Sequence, residues 1–286
     1  MEQPNNNHNY LNMIRSVYIL KQVTEYTTRN KLLPIINFNK ALQEKLNIGI
    51  DDYKDLCDKI KIELIPINKN NTNKFIKMIK NSEQYYHIYF NDDNNEIHRD
   101  YFNSNEQVYK IRIIIDKEIK SLGSLFYKCY CIQKINFLSF YRKDITNMSH
   151  MFRGCSSLIE VNLNNFRTTN VTDMGNMFMD CPSLKKLNIY QFNTSNVINM
   201  NCMFQGCSSI KELNLNNFNT EKVANMWRMF YGCKSLVELS IDNFNINNVS
   251  SMTGMFYGCN SELIAKLKEK NNNIIKKEML EDEYLI

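Results

Sequence analysis

The sequence predicts an α/β fold: a right-handed solenoid of 26-residue units, each with one short parallel strand and one short helix, behind a helical N-terminal domain and ahead of a C-terminal capping helix. Three observations carry this expectation. Cys129, Cys155, Cys181, Cys207, Cys233 and Cys259 recur at a constant step of 26 residues, and Phe126, Phe152, Phe178, Phe204, Phe230 and Phe256 keep the same step; a period of this length marks stacked repeats. Within a unit, SLIEVNLNNF (157–166) or SIKELNLNNF (209–218) alternates apolar and polar residues, the signature of a half-buried strand. Between strands, Met148, Met151 and Phe152 are spaced by three and four, which puts them on one side of a short helix.

Taken in chain order, residues 1–66 read as a helical N-terminal region. Ile19, Leu20 and Val23, then Leu32, Leu33 and Ile36, then Leu42 and Leu46 sit at helical spacing within residues 11–48 and predict three short helices. Residues 67–105 read as a mixed α/β connector and N-terminal cap, with a helix over NKFIKMIK (73–80), a strand over YYHIYF (85–90) and an Asn/Asp loop at 91–95. Residues 106–260 hold about six units. The first is degenerate: Tyr109, Ile111 and Ile114 take its strand and Phe columns, and Leu122, Leu125 and Phe126 its Met-Met-Phe columns.

In later units Val161 and Leu163, or Leu213 and Leu215, point to one face. Gly154, Gly206, Gly232 and Gly258 follow the helical stretch, where a residue tolerating positive φ is needed. NTSNV and NTEKV supply the turns. One unit buries about eight apolar side chains at roughly 1.5–3 kcal/mol each, against ordering costs of ~1–2 kcal/mol for each of its residues. A lone unit therefore does not fold, and neighbours must share a core. Residues 261–286 break the period and read as a capping helix over the last strand.

Composition narrows the function. A hydrophobic fraction of 43% excludes global disorder, while 8 Gly and 4 Pro are too few for a turn-dense sandwich. The net charge of +5 is spread thinly, with no basic run longer than a pair such as Lys185-Lys186, so nucleic-acid binding is not expected. No apolar run of about 18 residues occurs, and none is expected to span a membrane. The N-terminus is not a good secretory signal, and a cytoplasmic location is the default expectation. The four His are scattered, with no phosphate loop or nucleophile elbow, so no enzyme, cofactor or catalytic residue is expected.

The cysteine ladder is expected to be a buried column of thiols. Disulfides between adjacent rungs fit the Cα spacing, but parallel side chains give poor geometry. Zinc needs four converging ligands, which a straight column does not supply, so no metal site is expected. Cys57, Cys131 and Cys202 lie off the ladder.

Two surfaces are candidates for contact with another protein. On the strand face, Lys134, Glu160, Lys186, Glu212 and Glu238 form a column whose first four members alternate in sign, which reads first as a salt-bridged solvated face, with Tyr190 interrupting another outward column. On the helix side, Trp227, Arg228, Tyr231 and Tyr257 combine the residue types of an interface hot spot; the alternative is that the aromatics only cover the helix or pack under the C-terminal helix.

The columns L-x-x-L-N-L-x-N-F-N-T-x-x-V-x-x-M-x-x-M-F-x-G-C resemble the BspA-like leucine-rich-repeat family over roughly residues 106–260. The resemblance implies a leucine-rich-repeat-like solenoid used for adhesion or protein contact, without catalytic residues. Residues 11–48 are similar to an F-box-like helical segment, which implies a ubiquitin-ligase linker subunit as partner of the N-terminal helices; a helical cap is the other reading.

Overall fold

The computed structural model describes Glu44 and residues 58–67, 73–164, 166–270 and 275–281. The chain divides into two compact units, Met1–Asp58 and Lys59–Ile286. The helices expected within residues 11–48, the F-box-like segment and Cys57 lie outside the described residues.

The second unit begins with alternating sequences that pair as antiparallel strands. β1 (Ile60–Pro66) buries every second residue, as do β2 (Tyr86–Phe90) and β4 (Ile111–Ile115). β2 pairs with both β4 and the two-residue β3 (Glu96–Ile97), and β1 pairs with β4. The strand expected over 85–90 and the turn at 91–95 are thus present, with Asn91 at φ 55°. Three expectations are corrected. Residues 60–66 are a strand rather than part of a helical region. Residues 74–79 form no helix; the Phe75 amide donates to Asp100 O at 2.9 Å, pulling the segment out straight. Ile111–Ile115 is not the first solenoid strand but the middle of the antiparallel sheet, because strict alternation fits either partner direction.

The repeats start with β5 (Ile132–Ser139), which has antiparallel β1 on one side and parallel β6 (Glu160–Asn162) on the other. β1 therefore covers the edge that the first rung would otherwise expose. β7 (Lys186–Leu187) follows β6 in the seven-stranded sheet β3-β2-β4-β1-β5-β6-β7. β8 (Glu212–Asn214) and β9 (Glu238–Ser240) pair as a separate two-stranded sheet. Arg142, 3% exposed, fastens the cap to the first rung. It donates to the carbonyls of Asp116 and Lys117 at 2.9 and 3.0 Å and to both carboxylate oxygens of Asp144 at 2.9 Å.

The short helix expected in each unit is not formed among the described repeat residues; residues 148–155 run as overlapping turns. His150 and Gly154 take φ of 58° and 74°, which ends any helical path after each half turn. The same position is positive in Asn176, Cys202, Arg228 and Gly254, and the glycine position in Gly206, Gly232, Gly258 and Asp180. Alternate amides then face the next rung: Met148, His150, Phe152 and Gly154 donate to the carbonyls of Asp173, Gly175, Met177 and Met179 at 2.8–3.0 Å. The amides between them close turns three residues back, as Arg153 does on His150 O at 3.1 Å. An α-helix satisfies these amides internally and leaves nothing to hold the neighbouring rung. The inter-rung bonds offset the cost of the left-handed residues.

Side chains repeat the same self-recognition. The phenylalanines stack ring on ring, at 5.1 Å for Phe152–Phe178 and 5.4 Å for Phe230–Phe256, with interplanar angles of 9° and 2°. Thr168 and Thr220, each 1% exposed, both donate to and accept from the main chain of the residue 25 positions on (Asn193, Asn245). Asparagine abundance has a structural cause. Asn162, Asn193, Asn199, Asn219 and Asn225 each accept the amide two residues ahead at 2.9–3.1 Å, the local bond that makes Asn a turn residue.

At the far end, α1 (Ser261–Lys270) is capped by Asn260 Oδ1, which accepts the Glu262 amide at 2.8 Å. It buries Leu263 and Leu267 and ties to the last rungs through Lys266–Glu238 and Lys270–Asp242 at 2.7 and 2.8 Å. The capping helix expected over 261–286 thus ends at Lys270, and the following described segment has another role. The Gly254 and Phe256 amides donate to Glu278 O and Met279 O at 2.9 and 2.8 Å, so residues 278–279 take the place of one more rung in the turn ladder.

Candidate functional site

The turn side brings four of the five expected contact residues together. Trp227 and Tyr231 are joined not by a helical turn but by Arg228, whose φ of 51° turns the chain between them. The Arg228 guanidinium lies 4.6 Å from the Trp227 ring centroid and 4.9 Å from that of Tyr231. Tyr231 in turn stacks on Tyr257 of the next rung at 5.3 Å and 23°. All four are half-buried. A half-buried guanidinium beside two aromatic rings is attracted by the ring quadrupoles. Arg228 also packs towards the C-terminal segment: a Cβ on Gly254 would lie 3.3 Å from its Cγ and 3.4 Å from Glu281 O.

The structure does not bring Tyr190 to this group. It follows β7 on the strand side, 61% exposed, where its hydroxyl accepts from Gln191 Nε2 at 3.1 Å.

A second cationic cluster on the turn side escaped the sequence reading. Tyr127 occupies the same repeat column as Tyr231 and Tyr257, and Lys77, Lys128 and Arg153 lie 5.0, 5.3 and 5.9 Å from its ring centroid. Column position alone, counted back 26 residues from Arg153, would have pointed to it. Beside it His150 contacts Arg153 at 3.3 Å; burial first, then the guanidinium, lowers its pKa.

The cysteine ladder is a bonded column. The thiols of Cys155, Cys181, Cys207, Cys233 and Cys259 each donate to the Phe carbonyl 29 residues earlier at 3.0–3.1 Å. All described cysteines are free thiols. Burial pushes the thiols of Cys181 and Cys259 up to about 12 and that of Cys202 to about 11, so they stay protonated and unreactive. Among the described residues no group of three or more His, Cys, Asp or Glu is placed to hold a metal ion. No described helix is long and apolar enough to cross a membrane.

Comparison with known proteins agrees with the repeat. The model of a family described as "Mycoplasma protein of unknown function, DUF285" matches residues 120–213 and 146–269, together just over half the chain. The chain belongs to this family. It is a repeat family of the BspA-like leucine-rich-repeat kind. Among solved structures, the chain is similar to a leucine-rich-repeat protein of T. pallidum (TpLRR), with 22% identity, TM-score 0.37, and 57% of this chain and 79% of that one covered. It is also similar to a leucine-rich-repeat protein from Bacteroides ovatus ATCC 8483, with 22% identity, TM-score 0.34, and 56% and 36% covered. No curated protein matches.

Proposed function

We propose that the rungs wind as one right-handed solenoid that serves as a non-enzymatic protein-interaction scaffold, with the Trp227–Arg228–Tyr231–Tyr257 group as its contact surface. The observation that supports this most is the Arg228 guanidinium set between two aromatic rings. Trp, Tyr and Arg dominate binding energy at interfaces, and a guanidinium already stacked against its neighbouring rings has less entropy to lose on association. The columns that repeat from rung to rung hold the stack together, whereas the column of position 227 varies: Ser149, Gly175, Asn201, Trp227, Thr253. Variation at fixed geometry suits recognition.

The test compares the intact chain with its Trp227→Ala variant in cross-linked capture of partners followed by mass spectrometry, with melting temperatures recorded for both. The expected result is loss of partners at a nearly unchanged melting temperature. Retained partners, or a large drop in melting temperature, would place Trp227 in a packing role. The family assignment supports adhesion as a second reading, and labelling of intact cells separates a surface protein from an internal one.

A further inference from the structure

The cationic cluster around Tyr127 is assembled from three separate stretches of chain. Lys77 belongs to the straight segment of the cap, where its amide donates to Leu125 O at 2.7 Å. Lys128 and Arg153 come from successive rungs, joined by the Lys128 amide on Arg153 O at 2.8 Å. All three positive groups lie within 5.9 Å of one ring centroid. Two further contacts steady them. Gly154 leaves room for the Lys128 stem, since a Cβ there would meet Lys128 Cγ at 3.1 Å. His150 Nδ1 accepts from the Arg153 guanidinium at 3.3 Å, in the neutral form that its lowered pKa favours.

What the cluster lacks is a counterion. Elsewhere on the surface lysines are matched, Lys74 with Asp100 and Lys120 with Asp144 at 2.6 Å and Lys266 with Glu238 at 2.7 Å. Among the described residues no carboxylate lies within ion-pair distance of Lys77, Lys128 or Arg153. Like charges gathered at one ring repel, and the aromatic face offsets only part of that cost. An anion from outside recovers the rest. Lys77 and Lys128 are exposed and Arg153 is half-buried, so the group is open to a ligand. The patch is also small. Its column continues with Met179, Gln205 and Tyr231, and exposed Asp180 follows Lys128 two rungs on. It therefore suits a few carboxylates, whereas a nucleic-acid backbone needs cations all along its path. Alternate side chains of an extended segment stand roughly 6.5 Å apart on one face, a spacing that fits cations sharing one ring.

We propose that this end of the turn side binds an extended acidic segment of a partner protein, with two or three Asp or Glu carboxylates at alternate positions meeting Lys77, Lys128 and Arg153 across the Tyr127 ring. The inference rests on the interaction-scaffold reading, but the column of Trp227 reaches it only three rungs beyond Ser149, so the two surfaces can fail separately.

The experiment titrates the full chain into a fluorescent hexapeptide of alternating glutamate and serine at low ionic strength, read by anisotropy. Saturable binding is expected, and it should weaken as salt rises. Lys77→Gln and Lys128→Gln, both at exposed positions, should each weaken it about fivefold or more at an unchanged melting temperature. Lys268→Gln removes the same charge from an exposed site on α1 and should leave binding as it is, as should Trp227→Ala. A glutamine–serine hexapeptide should not bind. Absence of saturable binding, an equal loss from Lys268→Gln, equal binding of the glutamine–serine peptide, or tighter binding of a single-stranded oligonucleotide or of phosphatidylserine vesicles would overturn the proposal.

Discussion

Thr220→Val tests whether the polar columns hold the rungs as firmly as the apolar ones. Thr220 is 1% exposed, and its hydroxyl donates to Asn245 O at 2.9 Å while accepting the Asn245 amide at 2.7 Å. Valine keeps the shape and removes both bonds. Each is worth ~0.5–1.5 kcal/mol net, and stranding the Asn245 amide adds ~1 kcal/mol or more. Asn245 is half-buried, which holds the desolvation term near its lower end. The expected loss is ~2–3 kcal/mol. Thr220→Ser keeps the hydroxyl and loses one methyl, about 1 kcal/mol. Urea unfolding of the three proteins, compared at constant slope, should give the order Thr, Ser, Val. A valine variant as stable as the serine variant would refute the reasoning, because hydrophobic packing alone would then account for the column. Thr168→Val should behave alike, and the double variant should be close to additive because the two sites share no partner.

Two further outcomes follow from the titratable groups. Since burial raises the pKa of Cys155, Cys181, Cys207 and Cys233, a thiol reagent at pH 8 should label none of them until the stack is unfolded; rapid labelling of the folded chain would contradict the buried ladder. His87 sits between Asp116 and Glu96, with Nε2 and Nδ1 each 3.0 Å from a carboxylate oxygen. Desolvation lowers its pKa, but the bonds to Asp116 and Glu96 outweigh it and the net shift is upward from 6.5. Its contribution to stability is therefore full below pH 6.5 and is lost as pH rises through the raised folded value. Unfolding of the wild type and His87→Gln measured between pH 5 and 8.5 should differ most at the acid end; parallel curves would remove His87 from the account.

The rungs were legible because burial writes itself into a sequence at fixed intervals: Phe152, Met174, Cys181 and their column mates are the interior. Local backbone path was less legible. Spacings of three and four among Met148, Met151 and Phe152 fit a helix, yet they fit equally a chain of turns that returns the same side chains to the same side. The information that separates the two is the sign of φ at position 150, and Ser, His, Asn, Cys, Arg and Gly share no property that advertises it. Ile111–Ile115 failed for a related reason, since alternation reports burial and not the direction of the neighbour. Of the contact residues, types and columns were readable for Trp227, Arg228, Tyr231 and Tyr257. The break in the strand ladder between β7 and β8 was not, because it arises from a hydrogen bond that one rung omits.

Near-identity of the units has a kinetic side. Every bond that joins one layer to the next is offered just as well by the layer after it, so a folding chain meets many pairings displaced by one whole period. Only the two ends are unlike the rest: Arg142 with its carbonyl and carboxylate anchors, and the 3-10 turn of Lys277–Met279 over the last layer. Those ends set the register, and loss of either leaves a chain whose middle is content but miscounted.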